Sequence, residues 1–141
     1  MSLEVRGAAD MKRIAGEFEA AARTLNRDLV DGAAAAVKPL TRDIPASALA
    51  TLPRSGGLAA RTAAAGLLLE RLPNGARINT TKRYQFDLMD KGTVRHPVYR
   101  TGRWVAQHIT PGWLTRPILR NKPHEQAELE KSLQRNADRV R

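Results

Sequence analysis

Between residues 8 and 43 a single apolar stripe runs through the chain. Met11, Ile14, Phe18, Ala22, Leu25, Leu29, Ala33, Val37 and Leu40 recur at steps of three or four. That spacing lays one apolar face along a helix. Asp10 stands near its start, where a carboxylate favours the helix dipole. At ~1.5 Å per residue a helix from 8 to 43 measures on the order of 50 Å, and the other elements must pack along it as along a rod. Two residues interrupt the pattern. A helical glycine costs about 1 kcal/mol relative to alanine, and a proline removes a donor and clashes one turn back. Gly32 and Pro39 therefore predict a kink or break between 32 and 39. The stripe is read first as core-facing, and second as a seam against identical copies in an assembly.

The remaining elements are shorter. "SLEVRG" (2–7) alternates Leu3 and Val5 with polar residues and reads as a short edge strand. Residues 44–61 mix prolines, glycines and small side chains, and read as a mobile loop with one helical turn near 46–51. "PNG" (73–75) is a turn signal, so 62–71 is predicted to pair with 76–82 as a hairpin. "KRYQFDLMDKG" (82–92) predicts a short helix stopped by Gly92. "YRTGRW" reads as a second hairpin tip, followed by alternation over 104–109. A helix over 124–140 begins beside Pro123 and places Leu129, Leu133, Ala137 and Val140 on one face. Together these predict one α+β domain spanning 1–141: a small, mostly antiparallel sheet packed by a long N-terminal helix and a C-terminal helix.

Composition narrows the chemistry. The chain has no cysteine, which excludes disulfides, thiolate catalysis and cysteine-based zinc sites. His96, His108 and His124 lie far apart in sequence, without ligand spacing or an accompanying carboxylate cluster. No nucleophile elbow, phosphate loop or dinucleotide fingerprint is present. The sequence thus gives no reason to expect an enzyme, a metal or a cofactor. No signal-peptide pattern or membrane-length apolar run occurs, so a soluble chain made in a cytoplasm and bound to no membrane is expected.

Charge is unevenly placed. The formal net charge is +10. Residues 1–44 hold seven basic and seven acidic side chains, whereas 45–104 hold ten basic and three acidic. Such a middle segment attracts polyanions or acidic protein surfaces. Arg77, Lys82, Arg83, Arg95, Arg100 and Arg103, interleaved with Tyr84, Tyr99 and Trp104, could grip phosphates and stack bases. A basic nucleic-acid-binding module is therefore one functional reading, although no zinc finger, helix-turn-helix or RRM signature supports it. In a chain with 4% aromatic residues, Trp104 and Trp113 are assigned first to the core and second to an interface hot spot.

The order of "LPRSGGLAAR", "DLMDKGTVRHPVY", "WVAQHITPGW" and "LTRP" before an amphipathic helix resembles the small tail-component proteins of long-tailed phages, the gene-product-ten-like family of lambdoid phages. The similarity covers roughly 50–141, with "KGTVRHPVY … W … PGW" its most specific part. The resemblance implies a structural virion protein of the head–tail junction, a neck or tail-completion component made in the host cytoplasm. It implies partners among the connector or stopper, tail terminator and tail tube proteins, and assembly as a homo-oligomeric ring, commonly of six, whose lumen passes genomic DNA. In a ring of this kind two different faces of one chain must meet. Arg54, Arg95, Arg100 and Arg103 are the candidate contacts to acidic neighbours, with Trp104 as candidate anchor.

Overall fold

A computed structural model describes residues 7–80 and 85–139, with only the backbone described for 7–9. The strand expected at 2–7 and the basic residues Lys82 and Arg83 lie outside these bounds, apart from Gly7, which is helical. The elements in chain order are helices α1 (Gly7–Val37) and α2 (Leu40–Thr51), a 3-10 turn (Ser55–Gly57), helix α3 (Leu58–Ala63), strands β1 (Leu67–Leu72) and β2 (Gly75–Thr80), helix α4 (Phe86–Asp90), strands β3 (Thr93–Pro97) and β4 (Trp104–His108), and helix α5 (Thr115–Arg139). The fold is α+β as expected, but the antiparallel part is two separate hairpins, β1–β2 and β3–β4, rather than one sheet. No helix among the described residues is long and apolar enough to cross a membrane.

α1 and α5 form an antiparallel pair along a narrow seam. Near its far end Asp28 accepts hydrogen bonds from Asn136 Nδ2 at 3.0 Å and from the Arg139 guanidinium. One turn on, Gly32 faces Ser132, which is fully buried. A Cβ on Gly32 would stand 2.2 Å from Ser132 Oγ and 3.1 Å from its Cβ. Gly32 therefore marks close helix–helix approach, and the break expected between 32 and 39 falls at the Pro39 end.

The break is at Pro39, between α1 and α2. Proline has no N–H to donate to the carbonyl four residues back, here Ala35. α5 supplies donors at this point: Asn121 Nδ2 donates to Ala36 O at 2.7 Å, and His124 Nε2 lies 3.4 Å from Ala35 O. Asn121 is itself buried, so a stray helix end and a buried amide satisfy each other.

Residues 44–61 are mostly helical, which corrects the loop reading. Leu40, Ile44, Ala48 and Leu52 recur every four residues and are all buried, so α2 carries its own apolar stripe. Pro45 and Pro53 punctuate that stripe without ending it early: Pro45 lies inside the helix and Pro53 follows its last turn. α3 takes 58–63, including Thr62 and Ala63, which had been expected to open the strand, and β1 begins only at Leu67. The core gathers α2, Ala59, Met89 and Trp113, with Leu67, Ile78, Phe86 and Val94 packed around it. Phe86 meets Trp113 edge to face, with ring centroids 5.2 Å apart.

α5 begins nine residues before the expected start, at Thr115. Its first turn is capped from a distance by Asp90, whose Oδ1 accepts from Leu114 N at 2.7 Å and Thr115 N at 3.0 Å, and whose other oxygen binds the Thr115 hydroxyl. Burial alone would raise the Asp90 pKa, but the bonds from the Thr115 hydroxyl and from the Thr115 and Leu114 amides, with the nearby Arg116 charge, outweigh it and hold the carboxyl below its ordinary value.

Candidate assembly surfaces

Two elements leave the packed body. The first is the N-terminal half of α1. Every described side chain from 10 to 23 is exposed, and among the described residues α5 reaches back along the stripe only as far as Asp28. At ~1.5 Å per residue this arm is about 20 Å long. It presents Met11, Ile14 and Phe18, with Phe18 73% exposed. The polar side is locally satisfied by Arg13–Glu17 and Arg23–Glu19 pairs one turn apart. The apolar face is the direct continuation of the face that holds Gly32 and Ala36 against α5, since 18, 25, 32 and 36 share one side of a helix.

The second is the β3–β4 hairpin. All residues from Arg95 to His108 are exposed. Trp104 opens β4 and is 59% exposed, which corrects its assignment to the core; Trp113 alone is the core tryptophan, at 1%. Alternation over 104–108 does not separate a covered face from an open one, because all five residues of the strand are exposed. Three of the four candidate arginines lie on this element. Arg95 is on β3, Arg103 precedes β4, and Arg100 sits in the connecting loop with its guanidinium 5.4 Å from the centre of the Tyr99 ring. Arg100 has φ +64°, a left-handed conformation that is uncommon without glycine. Arg54 is not on the hairpin; it is exposed between α2 and the 3-10 turn. The hairpin's other side faces that region: Val94, His96 and Gln107 line a shallow pocket with Pro53, Gly56 and Arg61. Among the described residues no acidic side chain pairs with Arg54, Arg95, Arg100 or Arg103.

Sequence reasoning missed two supporting residues. Gln85 holds the outer side of β3: its Oε1 accepts from Arg95 N at 3.1 Å and its Nε2 donates to Arg95 O at 3.2 Å. Asp90 closes the hairpin's base, with Gly112 N donating to its carbonyl at 2.8 Å and Ile109 N to Gly92 O at 3.0 Å. Gly92 has φ +92°, and a Cβ there would stand 3.0 Å from Ile109 O, so glycine is required at this pinch. Neither partner is near in sequence, and a single glutamine or aspartate carries no pattern that announces such a role.

One cavity lies against the core rather than on the arms. It holds about 400 Å³ between α2, the β1–β2 hairpin and Trp113, and its lining is mainly aliphatic and aromatic. The one charged side chain on it, Arg77, is paired with Glu70 at 2.7 Å. Among the described residues no three histidine or carboxylate side chains are grouped as metal ligands. Comparison with known proteins finds no matching family model, no matching curated protein and no matching solved structure.

Proposed function

We propose that the chain is a structural virion protein of the phage head–tail junction, a neck or tail-completion component that works as one subunit of a ring and helps join or finish the tail. The observation that carries this reading is the pair of uncovered arms. One is an apolar helix face with four of its charges paired along the helix; the other is a basic hairpin whose arginines pair with no described carboxylate. A monomer gains nothing by holding Phe18, Tyr99 and Trp104 in water. A two-stranded ribbon is at best marginally stable by itself. Two chemically unlike faces on one chain are what a heterologous ring contact requires. In that arrangement Arg95, Arg100 and Arg103 meet acidic neighbours, Trp104 is an anchor, and a basic inner surface faces DNA in the lumen. The role needs no reaction, metal or cofactor, and the partners are the connector or stopper, tail terminator and tail tube proteins, with six copies of this chain in the ring.

The same free arginines also suit a phosphate backbone, so binding nucleic acid is the competing role. A stop codon at Leu52 in the genome that encodes the chain separates them. Electron microscopy of the lysate should show filled heads and separate tails, or overlong tails if the subunit terminates tail growth. Intact, infectious virions would refute the structural role and leave nucleic-acid binding in first place.

A further inference from the structure

The two outer edges of the β3–β4 hairpin are not alike. Its strands pair with Thr93 opposite His108, Arg95 opposite Ala106 and Pro97 opposite Trp104. Just beyond the ladder, Val98 N donates to Arg103 O at 2.7 Å, and Ile109 N donates to Gly92 O at 3.0 Å. Bonded pairs alternate with unbonded ones in an antiparallel ribbon. The bonded pairs are therefore 98 with 103, 96 with 105, 94 with 107 and 92 with 109. The backbone groups of residues 93, 95 and 97 on β3, and of 104, 106 and 108 on β4, point outward.

On β3 that edge is closed. The Gln85 amide takes both outward groups of Arg95, which independently confirms the phase, and Pro97 has no N–H to offer. On β4 it is open. Trp104, Ala106 and His108 each present an N–H and a carbonyl, all five residues of the strand are exposed, and the strand contains no proline. Natural edges are usually blunted by proline, bulges, inward charges or a covering element. Here one edge is blunted twice and the other is left free.

We propose that β4 is a strand-addition site, and that its occupant is an extended, acidic strand of a neighbouring protein subunit. Backbone bonds to residues 104, 106 and 108 would set the register. The acidic character follows from charge: residues 93–110 contain Arg95, Arg100 and Arg103 and no carboxylate. The inference deepens the assembly reading by naming what the hairpin holds. It can fail separately, since it concerns one edge and not the virion.

Ala106→Pro tests it. The Ala106 N–H points outward, so proline there deletes a donor from the free edge while leaving the β3–β4 bonds and every arginine in place. The probe is a fluorescein-labelled heptapeptide alternating glutamate and valine, read by anisotropy on the full chain. Saturable binding to the wild type is expected, with affinity lowered roughly tenfold or more in Ala106→Pro and kept in Ala106→Val, which retains the N–H. Hydrogen exchange on the wild type gives a readout independent of any variant. Peptide should slow the amides of Trp104, Ala106 and His108, while those of Val105 and Gln107 are slow from the outset. No peptide binding, equal binding to Ala106→Pro, or no slowing at those three amides would overturn the proposal. So would equal binding of a lysine–valine peptide. A DNA duplex that binds wild type and Ala106→Pro alike, where the acidic peptide does not bind, would assign the arginines to phosphate instead.

Discussion

Replacing Gly32 with alanine sets two effects of known sign against each other. In an exposed helix interior the change stabilises by about 1 kcal/mol, because glycine is the poorer helix former. Here the new methyl would lie 2.2 Å from Ser132 Oγ, 3.1 Å from Ser132 Cβ and 3.4 Å from Glu128 O. The hydroxyl can rotate away, but only by giving up its bond to Glu128 O at 3.0 Å. The Cβ and the carbonyl belong to α5 itself and can move only if the helices separate. Overpacking of this kind costs about 1–3 kcal/mol, so the net expectation is a loss of about 1 kcal/mol, or roughly 3 °C in Tm for a chain of this size. Ser132→Gly supplies the second half of the experiment. It removes both side-chain atoms in the way, so Gly32→Ala should be less harmful in the Ser132→Gly background than in the wild type by about 1 kcal/mol. Thermal melts of the four proteins give the cycle. Gly32→Ala alone melting above the wild type by the full helix-propensity gain would show that α1 and α5 are not in contact at this level.

Asp90→Asn should cost about 1–2 kcal/mol, since the carboxylate caps the start of α5. Because folding lowers the Asp90 pKa, its contribution is complete above the ordinary carboxyl range and disappears as pH falls through the folded value. The difference in denaturation midpoint between wild type and Asp90→Asn should accordingly be flat near neutrality and shrink on acidification; a gap that widens in acid would contradict the sign. Trp113→Ala should cost about 3–5 kcal/mol, while Trp104→Ala should change the melt by under about 1 kcal/mol; comparable losses at both sites would return Trp104 to the core. Arg95→Glu combined with Arg103→Glu should leave the melting curve near wild type yet abolish productive assembly, scored as joined particles by electron microscopy, and normal virions would remove both arginines from the interface.

Much of the scaffold was legible because periodicity reports local structure. The long stripe from Met11 gave α1, Pro39 gave its end, and "PNG" and "YRTGRW" gave both hairpins. What failed depended on contacts across the chain. Gly32 was read as a flaw in a helix, yet its absent side chain is what lets Ser132 approach. Pro45 and the Gly56–Gly57 pair suggested a loop, but the four-residue spacing of Leu40, Ile44, Ala48 and Leu52 prevailed, because burial outweighs local propensity. For the candidate surfaces, grouping Arg95, Arg100 and Arg103 was possible from sequence, since a hairpin brings near neighbours together. Setting Arg54 apart from them was not, and neither was deciding which tryptophan is covered. The periodic stripe also could not say where its cover stops. That depends on where α5 ends against Asp28, more than a hundred residues further along the chain.

The clasp at Asp90 has a kinetic consequence. It joins residue 90 to residues 112, 114 and 115, so the excursion between them leaves and re-enters the body through one fastened neck. Opening the hairpin exposes little of the core, whereas releasing the neck uncaps α5 and loosens Trp113. The hairpin should therefore fluctuate as its own cooperative unit, with a lower opening free energy than the domain that carries it. A protease that nicks the chain at Arg100 or Arg103 would leave two fragments still gripping one another, because each contributes a full helix to the α1–α5 seam. The arm can thus be reshaped, or sacrificed, while the rod behind it keeps its form.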